Sequence, residues 1–169
     1  MRTLGYVLLA LSLLLPSHNG TAGGGTLPAK PKPGPIGWII IPALSLWSPI
    51  YEVPIITYVD DQQVAHNIYD MTVIPAAVGH FEGTAWIDDG GGNVVVGAHN
   101  PGRFAGLDTL TSGDRIIILS HETAREYYVV QLAYKPANDW RVLVSHPQED
   151  ALTLITCEGQ SSRLIVRAT

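Results

Sequence analysis

One cysteine, Cys157, stands among 169 residues, which excludes an internal disulfide framework and any metal site built from several thiolates. Composition alone leaves that cysteine as either buried filler or a reactive thiol, because free cysteine is among the most often buried residue types. Charge is scarce as well. Only 15% of the residues are Asp, Glu, Lys or Arg, well under the ordinary quarter, so neither a coiled coil nor bulk disorder fits. Positive charge is the scarcer sign: 10 Lys and Arg face 15 Asp and Glu, and Arg2, Lys30 and Lys32 all precede residue 36. A nucleic-acid-binding surface needs the opposite balance. No apolar run reaches the about 20 residues of a simple membrane-spanning helix.

Glycine and proline are what the chain has in quantity, at 17 and 12, with 46% hydrophobic residues. That mixture favours short strands and turns over long helices, and the length allows one ordinary domain plus a short appendage. The appendage is N-terminal. Residues 1–22 open with one Arg, run apolar from Leu4 to Leu15, stop at Pro16 and offer small residues at Gly20-Thr21-Ala22. This reads as a signal peptide or a short membrane anchor, and puts the rest of the chain outside the cytoplasm. Residues 23–35 are rich in Gly and Pro without apolar periodicity, the composition of a tether. The globular part is expected over 36–169.

Within it, Trp38 to Ile41 and Tyr51 to Tyr58 read as strands, each bounded by turn formers. Val64 to Tyr69 reads as a helical turn. The turn Asp88 to Gly92 precedes Asn93-Val94-Val95-Val96-Gly97-Ala98-His99, whose continuous β-branched run predicts a strand buried on both faces and ending at His99. Arg115 to Leu119 and Glu126 to Tyr134 flank a polar hairpin turn, Ser120-His121-Glu122-Thr123. Leu152 to Thr156 and Arg163 to Ala168 close the chain. About eight short strands between Gly, Pro and Asp turns predict a mainly β fold, a closed or nearly closed eight-stranded barrel with one or two short helices.

The last two strands are joined by Glu158-Gly159-Gln160-Ser161-Ser162, a length that fits a β-hairpin. Antiparallel pairing then brings Cys157, leaving one strand, toward Arg163, entering the next. A thiol nucleophile works beside a cation, which favours the thiolate, and needs a proton carrier, usually His. Of six His, His18 falls in the tether, His121 in a hairpin turn and His146 in a Pro-containing loop. His66 and His80 stay open. His99 stands out because it emerges from the Val run at a turn, Asn100-Pro101-Gly102, although a satisfied structural His remains an alternative there.

These residues carry a resemblance. Thr153-Leu154-Ile155-Thr156-Cys157, followed after a short loop by Arg163-Leu164-Ile165-Val166, resembles the TLxTC and downstream Arg signature of the sortases. Gly79 to Ala85, the strand ending at His99, and Gly106 to Asp114 agree with that family in order and spacing. Ala98-His99 stands where sortases more often carry Gly-His. The resemblance implies an eight-stranded sortase barrel and a cysteine transpeptidase, with Cys157 as nucleophile, His99 as general acid and base, and Arg163 holding substrate and stabilising the oxyanion. The backbone N–H of Glu158 is expected as a second oxyanion donor. No metal and no cofactor are expected in the chemistry. The expected partners are the sorting-signal peptide of a secreted surface protein and an amine acceptor, a cell-wall precursor or a pilin lysine, with no nucleic acid.

Two rival readings belong to other classes. One is an extracytoplasmic cysteine peptidase that hydrolyses rather than ligates, and the other a binding barrel in which Cys157 and His99 pack without reacting. A papain-type enzyme does not fit, because there Cys lies near the mature N-terminus with His downstream.

Overall fold

Short runs of β-branched and aromatic residues become strands here because each must bury one face and has too little length to make a helix. A computed structural model describes residues 34–74, 76–144 and 148–169. The signal segment 1–22, the tether up to residue 33, and with them His18 and His146, lie outside the described residues. Ten strands are present among the described residues: β1 Gly37–Ile41, β2 Leu46–Val53, β3 Ile55–Val59, β4 Ala65–Tyr69, β5 Val78–Phe81, β6 Gly92–Ala98, β7 Arg115–Leu119, β8 Ala124–Pro136, β9 Asp150–Glu158 and β10 Ser162–Ala168. Eight close into a barrel in the order β1-β2-β5-β6-β9-β10-β8-β7, and β3 and β4 form a separate two-stranded sheet. The short helices are 3-10 turns, five among the described residues.

Alternation sorts the side chains into two cores. Ile39, Ile41, Ile50, Val94, Val96, Leu152, Leu154, Leu164 and Val166 fill the barrel interior. Val53, Ile74, Phe81, Val95, Ile155 and Ile165 form a second cluster, joined by Tyr69, Val142 and Leu143. It lies on the outer face of the same strands, since odd and even positions point oppositely. Each such side chain contributes roughly 1.5–3 kcal/mol when fully buried. Every residue of β6 is buried, as its unbroken Val run predicts, because β6 supplies both cores.

Two expectations change. Tyr51 to Tyr58 is not one strand: it breaks at Pro54, which lacks the N–H a barrel strand must donate, so the chain leaves the barrel there. Val64 to Tyr69 is not a helical turn but the start of a hairpin return, with Ala65–Tyr69 as β4. Asp60 is the cause. Its Oδ1 accepts the N–H groups of Gln62 and Val64, each at 2.9 Å, and its Oδ2 meets His66 Nε2 at 2.8 Å. A side chain that ties the backbone into a turn this way commits the following residues to pair with β3. The bond to His66, then that to Val64, holds the Asp60 carboxyl below its ordinary range.

The hairpin between β9 and β10 forms as expected, with a tighter loop. Glu158 and Ser162 pair with each other, leaving Gly159, Gln160 and Ser161 to turn, and Gly159 takes the left-handed φ of 65° that such a turn demands.

Candidate active site

β6 and β9 run parallel, with Ala98 opposite Thr156, so the next residues along each, His99 and Cys157, stand at the same end of the sheet. β9 and β10 run antiparallel, with Cys157 opposite Arg163. Ala98, Thr156 and Leu164 are buried on the barrel's inner side. Alternation therefore turns Cys157 and Arg163 to the outer side, and His99, the first residue beyond β6, completes one row across three adjacent strands at this end.

Two hydrogen bonds bracket His99 against Cys157. Buried Thr156 donates from Oγ1 to the carbonyl of Ala98 at 2.8 Å. Asn100 donates from Nδ2 to the carbonyl of Cys157 at 3.4 Å. The residues before and after His99 are thus tied to the backbone around the thiol. Cys157 is free and half-buried, and His99 is exposed. Arg163 donates from Nη1 to the carbonyl of Ser162 at 2.8 Å. Glu158 is the exposed last residue of β9.

Beside the row lies a cleft of about 200 Å³. Its floor is the outer apolar cluster, with Tyr69, Phe81, Ile155 and Ile165; one wall is the 3-10 turn Trp140–Leu143, and Arg163 and Lys135 stand at its edge. Gly97 makes room for the floor: a Cβ there would lie 2.8 Å from Cζ of Phe81. Tyr69 stacks on Phe81 with ring centroids 4.5 Å apart and donates from its hydroxyl to the carbonyl of Glu82 at 3.1 Å.

The other described histidines have separate occupations. His80 is 4% exposed, with Nδ1 2.8 Å from Glu52 Oε2 and Nε2 2.9 Å from the carbonyl of Ala85. His66 serves the β3–β4 turn. His121 lies in the β7–β8 turn, within 3.1 Å of the carbonyl of Pro35. Arg167 shares the face of Arg163 but is no solvated edge charge: it pairs with Glu149, and its Nη1 donates to Thr153 Oγ1 at 3.0 Å.

Sequence reasoning places the loop from Pro136 to Asp150 at the peptide groove, but three features escaped it: the bridging Asn100, the shape of the cleft wall at 140–143, and Lys135. Asn100 had a signal, since it directly follows the strand-end His. The wall had none, because backbone contacts with Asn93, far away in the chain, hold it in place. Asn93 donates from Nδ2 to the carbonyls of Val142 and Val144 at 3.1 and 3.3 Å.

The family model of the sortase domain matches residues 39–169. The chain belongs to the sortase family. Sortase A of Bacillus anthracis is 31% identical over 84 residues, an alignment that takes in 46% of this chain and 40% of the relative. The chain thus spans about two fifths of the length of the curated relative it matches. Among solved structures it resembles a sortase D5 transpeptidase of Clostridium perfringens, with a TM-score of 0.66 at 25% identity over 80% of this chain and 78% of that one. Sortase C1 of Streptococcus suis gives 0.65 at 27% identity over 80% and 72%. Sortase C1 of Streptococcus agalactiae gives 0.63 at 26% over 80% and 66%. The closed, mainly β barrel is thus the sortase fold.

Proposed function

We propose that this sortase is an extracytoplasmic cysteine transpeptidase that cleaves a sorting-signal peptide and passes its acyl group to an amine. The observation that carries this is the row of His99, Cys157 and Arg163 across β6, β9 and β10 at the edge of an apolar cleft. In the first step the Cys157 thiolate attacks a backbone carbonyl carbon, forming a C–S bond and a tetrahedral oxyanion. Arg163 meets that oxyanion with a planar fork that keeps its charge, and the N–H of Glu158 is the second donor. As the intermediate collapses, the C–N bond breaks and the His99 imidazolium gives its proton to the leaving amine. An incoming amine then attacks the thioester, His99 takes its proton, and the C–S bond breaks to return the thiolate. Water in place of the amine gives a carboxylic acid and slow hydrolysis. The acceptor is a cell-wall precursor or a pilin lysine, and residues 1–22 direct the chain to the extracytoplasmic side.

The test is mass spectrometry of the protein incubated with LPxTG-type peptides, with and without an added amine. A covalent acyl adduct on Cys157 and an amine-dependent ligated product are expected. Cys157→Ala should lose cleavage and ligation while keeping its circular dichroism. Turnover that persists in that variant overturns the reading, and cleavage indifferent to the amine leaves a hydrolase.

A further inference from the structure

The row through His99, Cys157 and Arg163 continues for one more strand. Lys135 on β8 stands directly opposite Arg163 on β10, and both line the cleft. Like charges directly opposite on neighbouring strands are destabilising, and carboxylates to neutralise them are plentiful, since acidic residues outnumber basic ones by 15 to 10. Among the described residues neither cation is within ion-pair distance of one. Among the described residues Lys135 makes no ion pair, and Arg163 donates only to a backbone carbonyl. By contrast Arg115, Arg125, Arg141 and Arg167 each hold a carboxylate. Asp139, the carboxylate that shares the cleft, is gripped by Arg141 through bonds of 2.7 and 2.8 Å. That grip holds its carboxyl below the ordinary range, with Lys135 the weakest contributor.

In the proposed reaction Arg163 is matched by the charge on sulfur or on the carbonyl oxygen. Lys135 is then left over. It stands two strand spacings from Cys157, about 10 Å between backbones, which an extended peptide covers in roughly three residues. Arg163 stands between them in the row, and the row beside it is apolar, from Ile155 and Ile165. We infer that Lys135 is a specificity-determining residue that selects peptides bearing an Asp or Glu side chain within about three residues of the scissile bond. The inference rests on the transpeptidase reading.

The experiment is a competition. A pool of random octapeptides with diglycine as amine is incubated with the protein, and mass spectrometry ranks the members by rate of consumption. Those with Asp or Glu near the cut should disappear about fivefold faster than their Asn or Gln counterparts, the scale of one exposed charge pair. Lys135→Gln should erase that ranking, and Lys135→Glu should invert it toward Lys and Arg. Cys157-dependent consumption with the same ranking in all three proteins overturns the inference and leaves the transpeptidase reading standing. Should no Cys157-dependent consumption occur, the reading itself fails. The inference is then decided by titrating ¹⁵N-labelled protein with the acidic members of the pool. Amide shifts around Lys135 that vanish in Lys135→Gln support it, and no shifts there overturn it.

Discussion

His80 is buried and His99 exposed, and the proposed mechanism sets them on opposite sides of the division between structure and chemistry. His80 is enclosed by Glu52, Thr84 and Ala85, so His80→Ala removes partners from polar groups that water reaches poorly. It should cost roughly 1–3 kcal/mol of stability and leave turnover of the folded protein intact. His99→Ala should do the reverse, lowering kcat/KM by about 10²–10⁴ with an unchanged melting temperature. Thermal melts beside kinetics decide it: an active His99→Ala moves the proton carrier elsewhere. The arginines divide in a similar way. Arg163→Lys keeps the charge and loses the fork, so turnover should fall sharply at constant stability. Arg167 is bonded to Glu149 and Thr153; Arg167→Lys should therefore lower the melting temperature while kcat/KM stays within about twofold. Equal kinetic losses at both positions would contradict the division of labour between them.

Among the elements, the turn Trp140–Leu143 is held both by packing of Val142 and Leu143 on the outer apolar cluster and by one distant polar side chain. Asn93 lies at the start of β6, is fully buried, receives a hydrogen bond from Thr153 Oγ1 at 2.8 Å, and donates to two carbonyls of the connection between β8 and β9. Asn93→Ala frees that wall of the cleft and takes from the Thr153 hydroxyl the acceptor of its proton, leaving it only the bond it receives from Arg167. KM for peptide should rise severalfold while kcat falls less, because on the proposed reading the wall holds substrate and the thiol chemistry lies elsewhere. A selective loss of kcat would contradict this. The same element marks the limit of what the sequence made legible. β1, β6, β7 and β9 could be read because continuous β-branched runs have few other uses. The registry of Cys157 with Arg163 was legible because a short loop between two strands permits little besides a hairpin. The connector 137–149 was not, since its contacts join residues some fifty positions apart and leave no local periodicity. Lys135 was equally silent. Its meaning depends on which residue stands opposite it on β10, and no local pattern encodes that.

At the scale of the whole molecule, the boundary near residue 36 carries more than a composition change. The N–H of Ile36 donates to the carbonyl of Ile50 at 2.8 Å, and His121 meets the carbonyl of Pro35, so the end of the tether docks on the barrel. A chain beginning at Gly34 should fold and turn over as the full chain does, and one beginning at Ile39 should melt lower. Loss of activity in the Gly34 chain would mean that earlier residues complete the cleft. Barrel closure has one more consequence, in time rather than space. The parallel joint of β6 and β9 sets residue 98 beside residue 156, across everything from β7 to the connector, and contacts so remote in sequence come late and slowly to a folding chain. His99 and Cys157 are strangers until that joint forms. On the proposed mechanism a half-built barrel therefore holds a thiol without its base, and enzymatic competence arrives in one stroke, making the appearance of activity during refolding a clock for the docking of β9 on β6.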